Sequence, residues 1–429
     1  MKKLIFSALI LAGSTGLACP NGTKALPKTS AIQQCELSGT YLSSTIRLRA
    51  GYEYVINGGV FFGEDNSEFS TLVIEPGVTL RGLPGSFISI MRGSKIEAVG
   101  TLEQPIRFTS IKESSRKRGE WGGLVINGNA PINACKAGAA VCEAISEGIK
   151  EREVKFGGNI SNDNSGTLNY VVVEYAGYPI AQDNELNGIT FNGVGSETVV
   201  EHIQVHMNSD DGIEFFGGTV NAKYVVLTAN EDDSLDWDMG WTGKVQFLII
   251  DQGNDKVDNG IEADNNKSPM NASPRSNPTI SNMTMIGSKN SAYGLLLRRG
   301  TGAHIVNTVV SGFGKACVDI DDAETFNNGA SKSGSDIVST GLKFESTIFN
   351  CAKPFESENG DVYSTQDWLM ADSSNAVLDP QLKGWLPSPN SPVFQNTKVL
   401  EDYFFEPTDF SGAFGSENWA LGWTVNSVN

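Results

Sequence analysis

Three histidines in 429 residues leave little room for imidazole chemistry. His202 and His206 lie four apart on one strand face, and His304 stands far from both, so a histidine-ligated zinc centre is not expected. Basic residues are also scarce, 32 Lys and Arg against 50 Asp and Glu, for a formal charge of −18. Such a surface repels nucleic acid and anionic lipid and favours metal cations or basic partners. No apolar stretch is long enough for a transmembrane helix. Helical periodicity sustained over about 10 to 15 residues is missing too, which argues against βαβ folds and leucine-rich repeats. There is no Ser-His-Asp order, no phosphate-binding loop and no dinucleotide motif. What the chain has in quantity is glycine, 47 residues, which suits many short strands joined by tight turns.

The first 18 residues read as an export signal. Lys2 and Lys3 form a charged start, Leu4 to Leu11 an apolar core, and Gly16 and Ala18 supply the small residues of a cleavage site. Losing them removes two lysines and no acid, taking the charge from −18 to −20. The expected location is outside the inner membrane: extracellular, outer-surface or periplasmic. Cys19 raises lipid anchoring as a second route. It is disfavoured, because Gly16 stands where a lipobox carries an aliphatic residue. Cysteine parity agrees. The six cysteines, which allow about 15 pairings, fall into local couples, Cys19/Cys35, Cys135/Cys142 and Cys317/Cys351, and lipidating one would strand a thiol in an oxidising compartment.

A repeat carries the fold. Six segments begin with an aliphatic residue: Ile189-Thr190-Phe191, Ile213-Glu214-Phe215, Leu235-Asp236-Trp237, Ile261-Glu262-Ala263, Leu295-Leu296-Leu297 and Val318-Asp319-Ile320. Their starts are 24, 22, 26, 34 and 23 positions apart, and all but the last follow a glycine or serine. A second strand recurs in each unit, as in Lys223 to Leu227 and Lys244 to Leu248. This spacing is about one coil of a parallel β-helix, whereas a propeller blade needs roughly 40 to 50 residues. The expected fold is all-β, a right-handed parallel β-helix of one chain. Residues 19–65 are expected as an N-terminal cap with entry strands and 66–354 as the solenoid. Lateral loops are expected near 132–165 and 265–277, and 355–429 as a cap over the open end. First and third triplet residues point inward and the second outward. Phe191, Phe215 and Trp237 then form an interior column rather than a sugar platform.

These segments resemble a broad group of secreted bacterial β-helix proteins, mostly without an assigned activity. The matching pieces are Trp121-Gly-Gly-Leu-Val-Ile-Asn-Gly-Asn-Ala-Pro131, Asp210-Asp-Gly-Ile-Glu-Phe-Phe-Gly-Gly218, and Phe410-Ser-Gly-Ala-Phe414 with Trp419 and Gly422-Trp-Thr424. The resemblance implies the fold over most of the chain and transfers no catalytic residue.

The outward positions carry the chemistry. One column holds Glu214, Asp236, Glu262, Leu296 and Asp319, and the next holds Phe216, Asp238, Asp264, Arg298 and Asp321. Asp210 with Asp211, Asp232 with Asp233, and Asp258 with Asn259 precede the triplets at a corner. Carboxylates stacked about 4.8 Å apart repel. Raised pKa values, a bound cation, or Arg298 and Arg299 would relieve them. Ca²⁺ suits clustered Asp, Glu and Asn oxygens, although no EF-hand or nonapeptide repeat is present. The candidate ligands are Asp211, Glu214, Asp233, Asp236, Asp238, Glu262 and Asp264. The plainer alternative is a solvated acidic face that aids solubility.

Two functions follow. The first is a secreted or cell-surface scaffold that binds Ca²⁺, glycan or both, with an anionic or neutral polysaccharide as partner. The second is a polysaccharide lyase. Ile261-Glu-Ala-Asp-Asn-Asn-Lys-Ser268 with Leu297-Arg-Arg-Gly300 is faintly similar to Ca²⁺-dependent alginate and chondroitin lyases. That resemblance implies Glu262 on the cation, Lys267 as base and Arg298 as its acid partner in β-elimination. It requires Lys267 and Arg298 beside the acids in one open groove.

Overall fold

A computed structural model describes residues 18–27, 31–136, 138–181, 184–328, 330–333, 336–339 and 341–425. The export-signal reading therefore falls almost wholly outside the described residues. The chain folds as a right-handed parallel β-helix. One continuous array of 24 strands is parallel throughout, apart from the short Lys24–Ala25 strand, which runs antiparallel to Gln33–Tyr41. The aliphatic starts of the triplets fall in one row, Ile189 beside Ile213, then Leu235, Ile261, Leu295 and Val318. Two earlier coils extend that row through Leu124 and Ile88. Glycine or serine precedes most of these strands because the neighbouring coil approaches closely there. A Cβ on Gly212 would lie 2.5 Å from Ser234 O.

The interior is a continuous stack of side chains. Phe191, Phe215 and Trp237 are at most 1% exposed, with Phe191 and Phe215 stacked at 5.2 Å and Phe215 and Trp241 at 4.0 Å. The second strand of each unit is bent. Tyr170, His202, Tyr224, Phe247, Asn282, Asn307 and Ser346 occupy successive coils at this bend, all with φ between 49° and 60°. Left-handed backbone is unfavourable for such residues. Here it turns their side chains outward into a ladder, with Tyr170, His202, Tyr224 and Phe247 stacked at 4.3, 4.4 and 4.9 Å. Each ring contact recovers part of the backbone cost.

Two boundaries differ from the sequence expectation. Of residues 19–65, expected as a cap with entry strands, the part from residue 33 on is already solenoid. Gln33–Tyr41 already pairs in parallel with Tyr52–Phe62, and Thr45–Leu48 with Thr71–Ile74, so the solenoid starts near residue 33. The second difference is at the C-terminus. Residues 353–377 close the last coil, with Phe355 bridged to Val318 and Trp368 buried against Phe326. From about 385 the chain instead runs back along the flank as a strap. Trp385, Phe414 and Trp423 pack on Val172, Val226 and Ile249, outward residues of the second strands. Those aliphatic positions need a cover, and a cap on the end could not reach them. Side-chain amides lace the strap down. Gln204 exchanges two hydrogen bonds with Val425, Gln246 two with Glu406, and Asn307 two with Lys398.

Three disulfides form, Cys19–Cys35, Cys135–Cys142 and Cys317–Cys351. They suit an oxidising, extracellular or periplasmic setting. Among the described residues no helix is long and apolar enough to cross a membrane.

Candidate functional site

The outward faces of the triplet strands form the acidic site. Register places Glu214 beside Asp236, Asp236 beside Glu262, Glu262 beside Leu296 and Leu296 beside Asp319. Asp238 lies beside Phe216, and Asp264 N bonds Trp237 O one coil earlier. The corner acids have a backbone task as well. Asp211 Oδ1 accepts from Asp233 N at 3.0 Å, and Asp233 Oδ1 from Asn259 N at 2.8 Å, so each carboxylate caps the next coil.

Three clusters result. Carboxylate oxygens of Asp211, Glu214 and Asp236 lie within 4.8 Å of one another, as do those of Asp233, Asp236 and Glu262, and of Asp210, Asp211 and Asp232. At 4.8 Å and an effective dielectric of about 20, two charged carboxylates repel by about 3.5 kcal/mol. Three such pairs in one cluster would rival the whole stability of a typical domain, about 5–15 kcal/mol. The clusters therefore cannot be fully ionised without a counter-charge.

Nor is the face openly solvated. Asp211, Glu214, Asp233 and Asp264 are buried, and Asp236, Asp238 and Glu262 half-buried. The cover is the 132–165 segment. Its Ile149 and Val154 pack on Phe61, Phe87 and Val125, and its Ile132 and Phe156 on Phe216. Arg92, 4% exposed, anchors it through Glu143 Oε1 and Gly157 O, both at 2.7 Å, while also pairing with Asp65. The segment brings Glu147 against Glu214, and Asn187 Nδ2 donates to Glu214 Oε2 at 2.6 Å. Burial and mutual repulsion push Asp211, Glu214, Asp233 and Asp236 well above the usual carboxylate range. The same causes raise Glu147, Asp210 and Glu262 to about 7. Asp238 reaches about 6, chiefly through burial. Asp236 Oδ1 and Asn187 Oδ1 are enclosed and have no hydrogen-bond partner.

Arginine neutralises one end of the stack. Arg298 pairs with Glu262 and with Asp264 Oδ1 at 3.1 Å, and Arg299 pairs with Asp264 Oδ2. Lys267 lines a groove of about 390 Å³ with Asp238, Asn133 and Lys136, a lining that does not include Arg298. Asn265 is fully buried and holds its own loop, accepting from Asn133 Nδ2 and Ser276 N and donating to Met270 O and Ala272 O. A larger open groove of about 820 Å³ crosses the corner turns, lined by Glu185, Asp210, Asp232, Asp258, Lys256 and Lys315. His202 and His206 are held near 4 by burial, between aromatic rings and against Thr228 respectively, and neither joins the acids.

Sequence reading missed Glu147, which comes from outside the repeat and carries no periodic signal, and Asn187, which holds the same corner position before Ile189 as Asp211 holds before Ile213. It noted Asp210 and Asp232 as corner residues without placing them in a cluster.

Fold and site together define a parallel β-helix with a half-covered acidic face. The chain belongs to the pectate-lyase-like beta helix domain family, which its sequence matches over residues 39–385. No curated protein matches it significantly. Among solved structures the Dettilon tailspike protein gp208 is similar at 11% identity with a TM-score of 0.24, over 72% of this chain and 56% of that one. The chain therefore spans little more than half of that protein.

Proposed function

We propose that the protein is an exported β-helix scaffold that binds polysaccharide along its acidic side, with Ca²⁺ joining its carboxylates to acidic groups of the glycan. The observation that carries this reading is Asp236. It belongs to two clusters at once, with Asp211 and Glu214 on one side and Asp233 and Glu262 on the other, and its Oδ1 has no partner. Oxygen-only donors of irregular arrangement suit Ca²⁺. A chain of charge −18 repels an anionic glycan unless a cation stands between them. The 820 Å³ groove beside the clusters is open and crosses several coils, as an extended polymer requires. Arg298 is engaged by Glu262 and Asp264, which favours a binding role over β-elimination.

The test is retention of the purified chain on polygalacturonate, alginate and a neutral glucan, in Ca²⁺ and in metal-stripped buffer. Retention on a uronate polymer that needs Ca²⁺ and disappears in Asp236→Asn supports the reading. Retention indifferent to Ca²⁺ removes the cation from it, and ultraviolet-absorbing unsaturated products would replace scaffold by lyase.

A further inference from the structure

The outward column does not end at Arg298. Residues 353–356 run alongside Ala316–Ile320: Cys317 N bonds Lys353 O, Val318 N bonds Pro354 O, and Glu356 N bonds Val318 O at 3.0 Å. Val318 pairs with Phe355, so counting three residues along each segment brings Glu358 opposite Asp321. Arg298 stands one coil earlier but turns its guanidinium back to Glu262 and Asp264. Lys353 is taken by Glu356, and Lys315 lies over the Tyr293 ring. Beyond the arginine a second group of acids is left. Oxygens of Asp319, Asp321 and Glu358 lie within 4.8 Å of one another.

A separate observation points to a ligand here. Asp319 is only 2% exposed, and its Oδ1 is enclosed without a hydrogen-bond partner, with Tyr293 beside the same carboxylate. A buried carboxylate oxygen left unpaired is costly. Its neighbours are two further carboxylates, which can supply no fixed positive charge.

We propose that Asp319, Asp321 and Glu358 bind a hard divalent cation of the Ca²⁺ type, which latches residues 353–370 onto the last coil. The donors are all oxygen, with no histidine or cysteine thiol in the cluster, and this disfavours softer metals. Glu358 is exposed, so the open side of the cation can keep water ligands, and Ca²⁺ tolerates such uneven shells better than Mg²⁺ does. The site shares no residue with the Asp233/Asp236/Glu262 cluster, and its role is to fix the end of the solenoid rather than to hold glycan.

Hydrogen exchange of the metal-stripped full chain, with and without Ca²⁺, tests this. At Ca²⁺ about ten times its dissociation constant, amides of 353–370 should exchange about tenfold more slowly. Asp236→Asn should keep that protection and Glu358→Gln should lose it. Because Glu358 is exposed, its variant is expected to fold, and Asp319→Asn gives an independent second loss. Tb³⁺ luminescence excited through Tyr293 should follow the same pattern. Unchanged exchange at 353–370 in millimolar Ca²⁺, or protection that survives Glu358→Gln, overturns the proposal and leaves a cluster held by shared protons. Loss of protection in Asp236→Asn alone would assign the effect to the glycan-side cation instead.

Discussion

Metal-free protein should lose stability as pH rises from about 6.5 to about 8, against the habit of carboxylate-rich chains. Unfolded, Asp and Glu ionise near 3.8 and 4.5. Folded, burial and repulsion hold Asp210, Glu147 and Glu262 near 7 and drive Asp211, Glu214, Asp233 and Asp236 well up. The native state thus binds more protons than the unfolded chain, and stability falls with pH wherever that holds. Below 6.5 histidine opposes the effect. Burial lowers His202 and His206 from 6.5 to about 4, so the unfolded chain takes up those protons first. Above 6.5 only the acids contribute. One excess proton is worth about 1.4 kcal/mol per pH unit, so two held through the window cost about 4 kcal/mol. A chain of 429 residues has an unfolding entropy near 0.9 kcal/mol/K, giving a fall of about 5 °C in Tm. Calorimetry in metal-stripped buffer across this range is the assay. Millimolar Ca²⁺ should flatten the trend, because the cation takes the place of the protons. A Tm that is constant or rises with pH in metal-free buffer refutes the protonated cluster.

Phe215→Ala should cost about 3–5 kcal/mol by denaturant titration, since Phe215 is 1% exposed and stacked between Phe191 and Trp241. Arg298→Met should destabilise by about 2–3 kcal/mol at neutral pH, because Glu262 and Asp264 lose a shared partner that is one-quarter exposed, and the loss should shrink at pH about 5 as Glu262 protonates. Gln246→Ala removes both bonds to Glu406, so hydrogen exchange near residue 406 should quicken while the coil interior stays protected.

The solenoid was legible because its strongest rule is local. An aliphatic residue after a glycine or serine recurs in five of the six triplets, and the resulting register agrees residue for residue from Ile189 to Val318. Inward and outward alternation followed, and with it the carboxylate columns. The bend in the second strand was not legible, because Tyr, His, Phe, Asn and Ser occupy the left-handed position where glycine would have announced it. The burial of the acids was hidden for a different reason. Their cover, including Glu147, joins Glu214 from 67 residues upstream, and no periodic signal marks where an insertion docks. The strap was hidden likewise: its aromatic residues read as a cap, and only the outward-facing aliphatic row of Val172, Val226 and Ile249 tells where they belong.

In a stack of coils each turn normally depends on the next, and damage at one end stays there. The lacing of the C-terminal strap changes that. Arg107 reaches Trp423 O across 316 positions, and Gln204 grips Val425, so early coils depend on residues far along the chain. A chain clipped near residue 385 would keep its coils but bare an aliphatic strip on a sheet face, the kind of surface that recruits other chains. The strap therefore decides whether that aliphatic strip is covered or open to other chains.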